Sequence, residues 1–438
     1  MIDENHILEL NQAGLLSEVV GYETVEVAKL AAGSHLSTLS SHSFIDFTGG
    51  IAVHACGHNH PEVVEAIRKQ AQLVLHTSDI MRHAPQLELA DFLTTLLKQI
   101  DPSEPWQTLL MNSGSESIDS AAKLALKATG RHKFIAFEGA FHGRTLFASA
   151  LSRSKALHWD AYEGFLGPLR SNIIHLPAPR CKACAIKRRE RCCLDTLESI
   201  LENQGDEIAA VFFEAQQGEG GYVPLEKEMA IKLRALSQKY GILLIADEIQ
   251  AGFGRTGKWF GFQHLGIVPD MIVFGKAVGG GLPLAGVLAP TSLMEKWQAG
   301  EHGTTFGGNP VACASGLAAL KIIAREDLLS RAAELGERIK LQLSQLVGMN
   351  GVSEVRGNGL MLGIELRDVN GNPDYQGIES VKLNCRKAGL LLLTCGAKIG
   401  KNDVDCAVIR IIPPLNIPEE TLNEGIETLK SALLESRA

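Results

Sequence analysis

Lys276 stands one glycine past the apolar run Met271–Phe274, and Gly279–Gly281 follow it closely. The preceding apolar run, Ile242–Ala246, ends in two carboxylates, Asp247 and Glu248. A lysine at the end of a buried strand is desolvated, which favours the neutral, nucleophilic amine. Such an amine can form a Schiff base with an aldehyde cofactor or a carbonyl substrate. Alone, a lysine at a strand end is more often a snorkelling surface residue. Its neighbours decide between the two.

Other stretches supply the company. In LLMNSGSES, Ser113, Gly114 and Ser115 lie between an apolar strand and the helical stretch Ile118–Thr129. A strand, a turn of small residues and a helix aim backbone N–H groups at a phosphate. Phe141, in FEGAFHGRT, offers an aromatic face. Asp247 falls at the carboxyl end of a core strand, where ligands sit in open sheets. Pyridoxal 5'-phosphate requires a lysine, a carboxylate for its ring nitrogen, a phosphate cup and a stacking ring. Lys276, Asp247, Gly114-Ser115 and Phe141 are one candidate for each. Singly they have ordinary explanations, such as a helix N-cap for Asp247 or a core position for Phe141. The combination is far less common by chance.

The elements that position these residues alternate. Expected strands cover 108–112, 133–137, 208–214, 242–246 and 271–274, with helices over 61–73, 85–98, 118–129 and 228–239. This alternation implies a mostly parallel sheet covered by helices on both faces. Residues 44–54 read as strands joined by a glycine turn, and 150–175 as irregular. After Pro310 come helices over 312–325 and 328–347, strands around Arg356-Gly357, and further strands and helices to the end. These form a second, smaller α/β unit. At 438 residues the chain is long enough for two domains.

Composition sets outer limits. The chain is 45% hydrophobic and 21% charged, ordinary for a soluble globular protein. A net charge of -8 suggests no general affinity for nucleic acid. No apolar stretch reaches about 18 residues, so no membrane span is expected. The first basic residue is Lys29, which argues against a secretory signal or an arginine-rich presequence, and a cytoplasmic location is expected. Nine cysteines, unevenly spread, fit free thiols better than a disulfide framework.

Across roughly residues 40–430 the sequence resembles the class III (ornithine/4-aminobutyrate type) pyridoxal-phosphate aminotransferases of fold type I. The segments that carry the resemblance are DEIQAGFGRTG with FGK about 20 residues later, LLMNSGSES, FEGAFHGRT, EAQQGEGG, HGTTFGGNP, VRGNGLMLGIEL and VIRIIPPLNI. It implies a large cofactor domain over 61–325, a small domain over 326–438, and an arm over 1–60 that contributes to the small one. It implies pyridoxal 5'-phosphate as cofactor, with Lys276 as Schiff-base lysine and acid/base, and Asp247 on the pyridine nitrogen. Gln250 would contact the ring's O3′, and Ser113, Gly114 and Ser115 would hold the phosphate. Phe141 would stack on the ring with His142 beside it. Thr305 would reach the phosphate of a neighbouring subunit, which requires a homodimer with shared sites. No metal role is implied. Two departures from the family pattern are Ser117, where alanine is usual, and Ala215, where proline is usual.

The same resemblance bears on substrates. Arg410 matches the arginine that takes the α-carboxylate, and Arg144 the one that takes the distal carboxylate of 4-aminobutyrate. Arginine suits both because its planar fork binds carboxylates bidentately. Glu219 matches a gate that pairs with the α-carboxylate arginine while an ω-amino donor is bound, so that the arginine is never left unpaired. Ile51 matches the apolar side of a 4-aminobutyrate pocket, and VIRIIPPLNI resembles the bacterial 4-aminobutyrate enzymes. The leading expectation is transfer from 4-aminobutyrate to 2-oxoglutarate, giving succinate semialdehyde and glutamate. The alternatives are ornithine, acetylornithine, lysine or diamine donors, a racemase or epimerase, and a non-catalytic scaffold. The cysteines at 181, 184, 192 and 193 have imperfect spacing for a zinc site, and a loop of free thiols is the plainer expectation.

Overall fold

The computed structural model describes residues 4–17, 19, 23–155, 162–177, 193–396 and 406–435. The side chain of Cys193 and all of residues 178–192, with the other cysteines of the 181–193 stretch, lie outside the described residues. The centre is a seven-stranded sheet. In spatial order its strands are Trp106–Met111, Ala285–Pro290, Met271–Phe274, Leu243–Asp247, Ile208–Phe213, Lys133–Phe137 and Ile173–Leu176. All pairings are parallel except those of Ala285–Pro290, which runs antiparallel to both neighbours. Ile208–Phe213, Met271–Phe274 and Ala285–Pro290 are buried along their whole length, as expected of strands covered on both faces. Apolar cores lie on the two sides of the sheet. Each fully buried apolar side chain there contributes about 1.5–3 kcal/mol.

The reversed strand is absent from the sequence-based expectation. Its residues, AGVLAP, directly follow GGGLPL and read as more of the same loop. Gly286 explains their fit. A Cβ there would lie 2.3 Å from the Leu109 carbonyl oxygen and 2.5 Å from the Phe274 ring. The described parts of 150–175 are also more regular than expected, with helices Leu146–Leu151 and Glu163–Arg170 and the strand Ile173–Leu176. These elements are short, and Pro168 sits inside the second helix, so their periodicity is faint. The antiparallel strands Val352–Asn358 and Met361–Leu366 turn at Gly359-Leu360 rather than at Arg356-Gly357.

A further correction concerns the residues after the expected glycine turn at Gly49-Gly50, which continue that turn as Ile51-Ala52 where a second strand was expected. Gly49, Gly50, Ile51 and Ala52 all take positive φ, from 51° to 64°. For Ile51 this is costly, because a β-branched side chain crowds its own backbone there. Asp46, at the end of the strand Ser43–Asp46, accepts the N–H groups of Thr48 and Gly49 and holds the start of the turn. Its other oxygen pairs with His58 at 2.7 Å.

Strands Val352–Asn358, Met361–Leu366, Ala407–Ile411 and Leu393–Cys395 form a separate antiparallel sheet. Near it, the early strand Ser43–Asp46 pairs in parallel with Leu390–Leu391, so the chain's two ends share a sheet. No helix among the described residues is long and apolar enough to cross a membrane.

Candidate active site

Five strand ends open on one cavity. Met111 leads to Ser113–Ser115, Phe137 to Phe141–Gly143, Phe213 to Glu214–Glu219, the Leu243 strand ends at Asp247, and Phe274 leads to Lys276. The empty space, including its open mouth, is about 660 Å³. This is the carboxyl end of a parallel sheet, where successive loops diverge and leave a crevice.

Asp247 forms the floor. It is 4% exposed, and its Oδ2 lies 2.7 Å from His142 Nδ1 while Oδ1 accepts Ile249 N–H at 3.1 Å. An ionised carboxylate only accepts, so the imidazole proton sits on Nδ1. Burial opposes a charged His142, yet the bond and the charge of Asp247 outweigh it and raise the imidazole above its ordinary value. His142 is therefore Asp247's partner, a role that the reading of it as a neighbour of the stacking ring missed. Glu248, next in the chain, points elsewhere. Both its oxygens accept backbone N–H groups, from Gly261 at 2.7 Å and Phe262 at 2.8 Å. Alternation along a strand sends one carboxylate to the cavity and the other into the fold.

Lys276 begins a short 3-10 turn with φ +49, a left-handed conformation that costs a non-glycine residue free energy. Its side chain lines the cavity. Burial lowers its ammonium below the ordinary lysine value, and the attraction of Asp247, Glu219 and Glu214 does not cancel that.

Ser113 caps the helix Gly114–Thr129 by accepting Glu116 N–H at 3.3 Å. Its hydroxyl is thus engaged with its own helix, and the free first-turn N–H groups supply the anion-binding capacity. Ser115 Oγ accepts Arg144 N–H at 3.2 Å and ties this turn to the 141–144 loop. The approach is tight. A Cβ on Gly143, at φ +130, would lie 2.0 Å from Ser115 Oγ. Glu214 braces the opposite side by accepting Phe141 N–H at 3.0 Å and Gly218 N–H at 2.8 Å. Burial raises its carboxyl well above the usual range.

At the mouth, Glu219 Oε1 meets Arg410 Nη1 at 2.5 Å. Arg410 is buried on the strand Ala407–Ile411, with Nη2 donating to the Thr394 carbonyl at 2.9 Å. Burial works against an ionised Glu219, but Arg410 and then Lys155 hold its carboxyl down at about 2.

The cavity thus gathers Ser113, Gly114, Ser115, Phe141, His142, Glu219, Asp247, Gln250 and Lys276. Arg410 joins them through Glu219. Ile51, Arg144 and Thr305 do not line it. Ile51 is 49% exposed, and Arg144 and Thr305 are exposed as well. Sequence reasoning gave no place to Ile249, whose side chain a Cβ on Gly114 would strike at 2.7 Å. It also gave no role to Glu214, although this carboxylate follows a buried strand just as Asp247 ends one.

The residues present fit pyridoxal 5'-phosphate. The buried Oε1 of Gln250 and the buried Nε2 of His142 have no partner among the described residues. The unoccupied hydrogen-bonding capacity of the helix start suits a phosphate, Phe141 supplies an aromatic face, and Lys276 and Asp247 share the same wall.

The profile of the family "Aminotransferase class-III" matches residues 20–433. A 5-aminovalerate aminotransferase of Pseudomonas aeruginosa is 37% identical over 409 residues, covering 92% of each chain. A 4-aminobutyrate aminotransferase of Escherichia coli is 34% identical over 400 residues, covering 90% of each. Among solved structures, an aminotransferase of Bacillus anthracis superposes with a TM-score of 0.88 at 28% identity, covering 99% of each chain.

Proposed function

We propose that this chain, which belongs to the class III aminotransferases, takes the terminal amine of an ω-amino acid and passes it to 2-oxoglutarate. It is a pyridoxal-phosphate-dependent aminotransferase of fold type I. The observation that carries the donor class is the closed Glu219–Arg410 pair. With that pair intact, no cation among the described residues is left free beside the reacting amine to hold an α-carboxylate. A donor whose carboxylate lies at its far end satisfies the closed site, and a 2-oxo acid requires it to open. Resemblance at Ile51 and VIRIIPPLNI favours 4-aminobutyrate, whereas the 5-aminovalerate relative favours a donor one methylene longer. We therefore put 4-aminobutyrate and 5-aminovalerate first and acetylornithine or ornithine second.

Bound pyridoxal 5'-phosphate supplies the electron sink for the carbon that loses its proton. The chain's own residues do the rest. Lys276, with its lowered ammonium, takes and returns the proton at that carbon. Asp247, oriented by His142, holds positive charge at the ring nitrogen. The start of the helix Gly114–Thr129 binds the phosphate, and Gln250 donates toward the ring oxygen. Thr305, exposed on its own protomer, contributes to a second copy's phosphate site in a homodimer.

The experiment is a donor panel with 2-oxoglutarate: 4-aminobutyrate, 5-aminovalerate, β-alanine, ornithine, acetylornithine, lysine and putrescine. A kcat/KM highest for one of the first two supports the reading. Greater turnover of acetylornithine or of an α-amino group sinks it. Interconversion of enantiomers without any oxo acid would place the protein among racemases instead.

A further inference from the structure

Glu219 is held from two sides. Its Oε1 meets Arg410, and its Oε2 lies 3.4 Å from Lys155 Nζ. The two cations differ in how they are set. Arg410 is fixed on a strand, and its guanidinium is tied to the Thr394 carbonyl. Lys155 is one-third exposed on a flexible four-carbon stem. The segment beneath Lys155 is pinned nearby, because Arg153 N–H donates to the Ala140 carbonyl at 2.8 Å and Ser152 Oγ accepts His142 N–H at 2.9 Å.

The backbone around Glu219 is also held. Its carbonyl accepts Gly396 N–H at 3.1 Å, and Gly218 N–H is bound by Glu214. Freeing Arg410 is therefore a matter of rotating the Glu219 side chain, with no loop movement needed. Once released, Arg410 offers Nη1 together with a buried Nε that has no partner among the described residues. A carboxylate leaving Arg410 into a partly buried mouth without another cation would carry a heavy desolvation cost.

We propose that Lys155 is a positioning residue, the second station to which Glu219 swings when a 2-oxo acid takes Arg410. This rests on the reading of Glu219 and Arg410 as a gate. Lys155 already pairs with Glu219 in the closed site and keeps the displaced carboxylate paired, so that opening gives up one ion pair while the other is retained. Its stem can follow the carboxylate while Arg410 stays in place to receive the substrate.

The test compares Lys155→Met and Lys155→Arg with the unaltered holoenzyme. The donor half-reaction and the acceptor half-reaction are measured separately under single-turnover conditions. Lys155→Met should raise the apparent KM for the 2-oxo acid about tenfold more than that for the ω-amino donor. Lys155→Arg should restore most of it. Calorimetric titration of 2-oxoglutarate into the aldehyde form of the enzyme, which cannot turn it over, should show the same weakening in Kd. Pyruvate and 2-oxoglutarate should be affected alike, because both present an α-carboxylate to Arg410. A loss confined to 2-oxoglutarate would make Lys155 a contact for the distal carboxylate and overturn the proposal. Equal losses in both half-reactions would do so too, since they mark a structural role. Glu219→Gln separates the two levels of the argument. If it leaves both half-reactions unchanged, the gate itself fails. If it splits them while Lys155→Met does not, only the second station fails.

Discussion

The floor and the mouth of the cavity use the same chemistry for opposite ends. Each sets a carboxylate against a nitrogen base within about 3 Å and buries the pair: Asp247 with His142 at 2.7 Å, Glu219 with Arg410 at 2.5 Å. Asp247 ends a strand buried in a parallel sheet, and its second oxygen is taken by the backbone of Ile249. Glu219 sits on a loop, and its second oxygen faces a second cation, the one-third exposed Lys155. A charge that must stay is built into the sheet with both oxygens claimed. A charge that must move is given two partners and a side chain free to choose between them.

Variants can break this contrast. Asp247→Asn should have the largest effect, because it removes the negative charge proposed to face the ring nitrogen and leaves the buried His142 imidazole beside a neutral amide. A loss of roughly 10³-fold in both half-reactions is expected, together with a shift in the visible band of the bound cofactor. If one half-reaction survived, the floor would not be the common support of both. Glu219→Gln should cost less and split the halves. Discrimination between ω-amino and α-amino donors should fall about tenfold, roughly 1.4 kcal/mol, read as a ratio of kcat/KM values.

Acid sharpens the same comparison. The folded Glu219 carboxyl is held at about 2 against an ordinary 4.5. A depressed carboxyl stabilises the fold above its unfolded value and loses that contribution as pH falls towards its folded one. The stability difference between the unaltered protein and Glu219→Gln should therefore shrink between pH 4.5 and about 2, as read by urea denaturation. A difference that stayed flat across that range would mean that the pair contributes nothing to the fold. The smallest effect should come from Ser117→Ala, one helical turn behind the cavity-lining Ser113. Ser117 Oγ donates to the Ser113 carbonyl within its own helix at 3.0 Å, and alanine suits a helix better. Melting should move by less than about 0.5 kcal/mol, with activity unchanged.

The sequence made the floor legible and the mouth only partly so. Asp247 and Lys276 each follow an apolar run short enough to be a buried strand, and Ser113–Ser115 stand between a strand and a helix, so local pattern places all of them at strand ends. His142 joins Asp247 across 105 positions of chain, and no local pattern encodes that distance. Lys155 escaped notice for a similar reason. It lies between the FEGAFHGRT and EAQQGEGG motifs, in neither of them, and only the fold brings it to Glu219. The reversed strand Ala285–Pro290 was hidden because its apolar run begins inside a glycine-rich loop. Its position depends on Gly286 passing under Phe274, a contact visible only in three dimensions.

Ile51 carries a consequence for how such a protein changes over generations. A β-branched residue at φ +62 costs about 1–3 kcal/mol that glycine or asparagine would largely recover. Its side chain is half exposed, so little packing offsets that cost. Selection for stability alone would replace it readily. Isoleucine at this φ is therefore a residue that a screen for heat resistance alone would be expected to exchange.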